Sequence, residues 1–200
     1  MKFKGLKEFV EIINTTLNGF CSDFQYKRKE LLKMGSATNR DKLFIFSADG
    51  RDWVINPGGG TELQYHLFFR DNKIGYGLGF NTQYVPFANK KTPIEYIQPF
   101  ANGFLSNIEL QKRLFIDGFV YLHGDRSQLE NLIHDNYVLI GKEGNVNEIN
   151  NGFEINDDFF DQMIEDLKGI LYKTYIEILN NMNSQTKLNK KVDHFVNILM

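Results

Sequence analysis

The stretch Leu63-Gln64-Tyr65-His66-Leu67-Phe68-Phe69-Arg70-Asp71-Asn72-Lys73-Ile74-Gly75-Tyr76-Gly77-Leu78-Gly79-Phe80 reads as two strands around a tight turn. Both arms are rich in aromatic and aliphatic residues, and the Asp71-Asn72 pair between them suits a hairpin turn. In the second arm Gly75, Gly77 and Gly79 share one face, while Ile74, Tyr76, Leu78 and Phe80 share the other. A glycine face lets another group approach the backbone closely. That group is an aromatic ring or helix packed on the sheet, or a ligand.

Further β signals flank this hairpin. Leu43-Phe44-Ile45-Phe46 is an apolar run that stops at Asp49-Gly50, and Trp53-Val54-Ile55 stops at Asn56-Pro57-Gly58-Gly59-Gly60. Leu114–Leu122 alternates imperfectly and predicts another strand. Tyr137–Ile140 predicts a short strand, followed by a polar, Asn-rich loop over Gly141–Gly152. Helical periodicity appears at 3–20 through Leu6, Phe9, Val10, Ile13, Leu17 and Phe20. Thr92-Pro93-Ile94-Glu95 and Ser127-Gln128-Leu129-Glu130 each open a helix with a capping box, and Pro99 breaks or kinks the first. The strongest helix runs from about 157 to 180, with Phe160, Ile164, Leu167, Leu171, Tyr175 and Ile178 on one stripe. Asp157, Asp158 and Asp161 in its first turn suit the positive end of the helix dipole. Together these elements predict an α+β fold. Its curved, mostly antiparallel β-sheet or partly open barrel is flanked by N-terminal, middle and long C-terminal helices. A B3-like pseudo-barrel is the alternative.

The chain has 200 residues, 42% of them hydrophobic and 24% charged, enough to bury a core within one domain. Net charge is -2, so a nucleic-acid site would have to be a local patch. Cys21 is the one cysteine, which excludes disulfide frameworks and multi-cysteine metal sites within one chain. Apolar runs fall far short of the roughly 18 residues that cross a membrane. Lys2, Lys4, Lys7, Glu8 and Glu11 break any signal-peptide core. The expectation is a cytoplasmic, monomeric chain with no membrane contact. Charge is nevertheless lopsided along it. Lys27, Arg28, Lys29, Lys33, Arg40 and Lys42 outweigh Glu30 and Asp41, whereas 141–166 holds eight acids against Lys142.

Catalytic and metal motifs are weak. Gly58-Gly59-Gly60 lacks the spacing of a phosphate loop. His66, His123, His134 and His194 are scattered, and nothing in sequence marks a base that would activate Cys21. Asp49, Glu62 and Gln64 resemble a magnesium nuclease pattern whose third position should be lysine. A neutral amide there cannot steady a phosphorane. The acids around 157–166 read as a solvated helix face. What remains is a binding pattern: Lys27, Arg28, Lys29, Arg40, Arg51, Lys90 and Lys91 for phosphates, with Trp53, Asn81, Gln83 and Tyr84 for bases or grooves. Each has an ordinary structural explanation; as a set they point to DNA.

Two places carry a family resemblance. Asp52-Trp53-Val54-Ile55-Asn56-Pro57-Gly58-Gly59-Gly60, then Leu67-Phe68-Phe69-Arg70-Asp71, then Tyr76-Gly77-Leu78, resembles the N-terminal DNA-binding domain of McrB-like restriction proteins, modification-dependent or LlaJI-type. Val192–Met200 resembles the segment before the Walker A strand of the McrB motor. The resemblance implies one DNA-recognition domain over 1–180 and a linker over 181–200 leading toward an absent AAA+ GTPase motor. It implies double-stranded DNA as partner, read through 5-methylcytosine or a short specific site. It also implies an McrC-like nuclease partner for the whole protein, in bacterial restriction of foreign DNA. No cofactor or catalysis is implied for this chain; GTP and magnesium would belong to the motor. Trp53 and Leu67 match pocket positions, with Phe115 a third wall. Where the family has a tyrosine near the start of the aromatic strand, this chain has Leu63, with Tyr65 on the same face.

Overall fold

A computed structural model describes residues 1–32, 42–44, 53–55, 63–81, 103–104, 106–124 and 137–181. The central hairpin forms as expected. Strand β3 (Gln64–Arg70) pairs antiparallel with β4 (Lys73–Asn81), and Arg70 lies opposite Lys73. Asp71 and Asn72, at φ 52° and 57°, make the two-residue turn whose left-handed backbone matches the twist of the strands. Around this hairpin the described strands build one seven-stranded antiparallel sheet, not closed into a barrel. They are β1 (Lys2–Phe3), β2 (Trp53–Ile55), β3, β4, β5 (Val120–His123), β6 (Tyr137–Ile149) and β7 (Gly152–Ile155). The order is β1-β7-β6-β4-β3-β2, and β5 also pairs with β6. Residues 139–141 of β6 pair with both β4 and β5, so β5 lies across β6 from β4. The fold is therefore α+β, an open sheet flanked by helices.

Two expectations fail here. The polar stretch 141–152 is no loop: β6 continues to Ile149, turns at Asn150-Asn151 and returns as β7. Gly141 and Gly144 hid the strand, because each sits where another group meets the backbone. A Cβ at Gly144 would strike the Phe159 ring, and one at Gly141 would strike Tyr76 backbone. Leu114–Leu122 is not one strand. Helix α3 (Ile108–Ile116) occupies its first part, capped by the Asn107 side chain, which accepts from the Leu110 amide at 3.0 Å. Gly118, at φ 85°, then turns the chain into β5.

The N-terminal helix is longer than expected. α1 (Leu6–Thr16) abuts α2 (Asn18–Leu32), with the Leu17 amide donating to Ile13 at 2.9 Å and the Cys21 amide to Leu17 at 2.8 Å. Leu43 and Phe44, expected to open a strand, are buried without strand pairing. Their amides donate to Asn14 Oδ1 at 2.9 and 3.0 Å. The C-terminal helix forms as α4 (Asp157–Lys168), capped by Asn156, and continues as α5 (170–181). The hydrogen bonds run through the bend at Gly169: its amide donates to Glu165 at 2.8 Å, and Lys173 donates to its carbonyl at 3.0 Å. A Cβ at Gly169 would sit 2.7 Å from the Glu165 carbonyl oxygen, so glycine permits the bend.

The core lies between one face of the sheet and these helices. Phe9, Val10 and Ile13 of α1, Phe24 of α2, Met163 and Leu167 of α4, and Leu171 and Tyr175 of α5 are buried against Tyr65, Leu67, Ile74, Tyr76 and Leu78. Phe3, Phe9, Phe153 and Phe160 gather with ring centroids 4.8–6.1 Å apart. On the opposite face the glycine stripe is closed in part by the protein itself. The Phe68 ring lies over Gly75, leaving no room for a Cβ, which is the aromatic packing that a glycine face allows. The helices expected at 92–104 and 127–133 lie outside the described residues, apart from a helical fragment at 103–104. No described helix is long and apolar enough to cross a membrane.

Candidate nucleic-acid interface

The resemblance gathers Trp53, Leu67, Tyr65 and Phe115 into one pocket; the register separates them. Trp53 pairs with Phe68 and Val54 with Leu67, so position 53 belongs to the glycine face and Leu67 to the helix-covered face. Tyr65 and Leu67 are fully buried in the core. The Tyr65 hydroxyl donates to the Leu167 carbonyl at 3.2 Å, and its ring stacks on Tyr175 with centroids 5.7 Å apart. Burial, and then the neighbouring Tyr175, hold its phenol well above the usual tyrosine range. Phe115 is 41% exposed on α3 and packs on Tyr121 of β5. Four strand spacings separate β2 from β5, about 19 Å. Tyr65, Leu67 and Phe115 do not line one pocket.

The phosphate-contacting set is only partly described. Lys27, Arg28 and Lys29 lie on α2. Asn81 is the last residue of β4, paired with Tyr137, rather than part of a loop. Arg40, Arg51, Gln83, Tyr84, Lys90 and Lys91 lie outside the described residues, as do Asp49 and Glu62 of the nuclease pattern. Gln64, the third member of that pattern, is 2% exposed on β3, and its amide nitrogen has no hydrogen-bond partner among the described residues. Among the described residues no three His, Cys, Asp or Glu side chains gather in a way that could hold a metal.

Packing sets α2 on the hairpin and the acidic region at its turn end. The Phe24 ring meets Tyr65 edge-on at 5.1 Å, and Tyr65 pairs with Leu78. Lys27, Arg28 and Lys29 follow within about one helical turn, some 5 Å. Asn81 follows Leu78 by three residues, about 10 Å. Asn81 marks the open end of the hairpin. At the turn end, Gly144 pairs with Ile74 beneath Phe159 of α4, next to Asp157, Asp158 and Asp161. Cations at that end have carboxylate partners: Arg70 with Asp71 at 3.5 Å, Lys73 with Glu143, and the Met1 amine with Asp157. The acidic part of the sequence thus lies at the turn end of the hairpin, where it pairs with the nearby cations.

The acids of α4 are not all solvated, as their sequence pattern suggested. Asp166 is 1% exposed. Its Oδ2 accepts from the Tyr76 hydroxyl at 2.7 Å and Lys142 Nζ at 2.8 Å, and its Oδ1 accepts from Gln162 Nε2 at 2.9 Å. Lys142 Nζ also lies 4.4 Å from the centre of the Phe119 ring. Burial, and then the bond to Asp166, push the Tyr76 phenol far above its ordinary range, so it stays a donor at any working pH. This cluster ties β4, β6 and α4 together. Its signal in sequence was slight: Asp166 falls beside Leu167 on the apolar stripe. Tyr26 was also overlooked; its exposed ring sits beside the basic run on α2.

Comparison with known proteins returns nothing: no family model, curated protein or solved structure matches the chain.

Proposed function

We infer that the chain is a DNA-recognition domain of the McrB-like kind, binding double-stranded DNA without cleaving it. The observation that carries this reading is the charge arrangement. α2 packs on the hairpin through Phe24 against Tyr65, and the same helix carries the basic run Lys27-Arg28-Lys29 in an otherwise slightly acidic chain. Lys27, Arg28 and Lys29 would contact phosphates, together with Arg40, Arg51, Lys90 and Lys91 from the neighbouring sequence. Base reading would fall to Asn81, Gln83 and Tyr84. The full burial of Tyr65 and Leu67 in the core argues against flipping a base into the pocket that the family resemblance implies. GTP, magnesium and a nuclease subunit would act on other parts of a full-length protein.

Fluorescence anisotropy with short duplexes, with and without 5-methylcytosine, tests this at two salt concentrations. Binding should weaken steeply with salt, because each phosphate contact releases counterions. Lys27→Ala and Lys29→Ala should each lower the slope of log affinity against log salt by about 1. Absence of binding at low salt would remove DNA as the ligand. In that case the exposed apolar side chains Ile108, Phe115, Ile116 and Val120 favour a second reading, contact with another protein. Gel filtration across a range of concentrations tests that reading for self-association.

A further inference from the structure

Tyr26 is 74% exposed on α2, opposite the face that buries Phe24 and Cys21. A tyrosine left this open gains little from apolar burial, and its ring joins none of the aromatic contacts around Phe20 and Phe24. It directly precedes Lys27-Arg28-Lys29, and the helical repeat sets position 29 on the same side as position 26. Asp23, exposed one turn earlier, sets the opposite boundary, since a carboxylate repels phosphate. Position 26 therefore falls between an acid at position 23 and a lysine at position 29 along one side of the helix.

We propose that Tyr26 is a positioning contact for duplex DNA, donating its hydroxyl to a backbone phosphate held by the basic run. The inference rests on the DNA-recognition reading above. Tyrosine hydroxyls are among the groups that fix register through phosphate oxygens, and such contacts are independent of base sequence. A neutral donor releases no counterion, so its loss lowers affinity without changing the salt slope, unlike the loss of a lysine. The proposal assigns Tyr26 a role separable from that of the charges beside it.

The experiment titrates fluorescein-labelled duplex with the wild-type chain, Tyr26→Phe, Tyr26→Ala and Lys27→Ala at several salt concentrations, with circular dichroism as the folding control. Tyr26→Phe and Tyr26→Ala should both lose about fivefold to tenfold in affinity at every salt, the size of one net hydrogen bond. Their salt slope should match wild type, while that of Lys27→Ala falls. Wild-type affinity in Tyr26→Ala overturns the inference and leaves the DNA reading standing. Loss in Tyr26→Ala with full affinity in Tyr26→Phe assigns the contact to the ring and overturns the phosphate bond. Failure of the wild-type chain to bind overturns the DNA reading and this inference with it.

Discussion

Two buried polar sites lie on opposite faces of the same sheet. On the helix-covered face the Asp166 carboxylate takes three hydrogen bonds, from Tyr76, Lys142 and Gln162. On the glycine face Gln64 is as deeply buried, yet its amide nitrogen has no partner among the described residues, and its neighbour His66 is 3% exposed. Equal burial therefore has opposite energetic meaning. A paired carboxylate fastens a helix to two strands, whereas an unpaired amide costs the free energy of its lost hydration.

The largest effect should come from breaking the compensated side. Asp166→Ala leaves Lys142, with only 20% of its side chain exposed, without its anion and strips Tyr76 of its acceptor. Urea denaturation should show a loss of about 3 kcal/mol, within the range for removing one partner of a buried pair. The double variant Asp166→Ala with Lys142→Met should recover part of that loss. A loss no greater than that of an exposed acid, such as Asp161→Ala, would deny the cluster its role.

Acid should probe the other face. Burial lowers the His66 imidazole from 6.5 to about 3. The folded value lies below the unfolded one, so the unfolded chain takes up the extra proton between those pH values. The stability from keeping His66 neutral is complete above about pH 6.5 and fades as pH falls toward 3. At about 1.4 kcal/mol per pH unit, a few kcal/mol are at stake. Unfolding measured at pH 7, 5.5 and 4.5 should show a steeper fall for the wild-type chain than for His66→Leu. Parallel curves would remove His66 as the cause.

The smallest effect sharpens the contrast by reversing sign. Gln64→Met keeps the shape of the side chain and deletes the unpaired donor. It should gain about 1 kcal/mol, seen as a rise of roughly 2–4 °C in Tm. A drop in Tm would mean that the amide is satisfied after all.

What the sequence made legible follows from how each segment is solvated. The β3–β4 hairpin was plain because its turn residues and both apolar arms agree. The α4 helix was plain because its acidic first turn and apolar stripe agree. β6 was not, because half of it is polar or glycine and its stability comes from neighbours on both edges rather than from its own side chains. α3 was misread because Leu114, Phe115 and Ile116 sit together at its end, where three adjacent apolar residues mimic a strand; two of them are exposed. Of the candidate interface, the charge asymmetry was legible from composition alone. The pocket was not, since a one-position shift between β2 and β3 decides which face each residue shares, and only the register fixes that.

The place of β6 in the sheet has a consequence for synthesis. This strand joins β4, β5 and β7, yet it and two of the helices that cover the hairpin, α4 and α5, are made late. Between release of Asn81 and release of Asn181 the ribosome adds about 100 residues, roughly 5–20 s at ordinary elongation rates. Throughout that interval Tyr65, Leu67, Tyr76 and Leu78 have emerged without α4 and α5 to cover them. The nascent hairpin must wait with an apolar face and an open edge, a period in which a holding chaperone would find its most extended target.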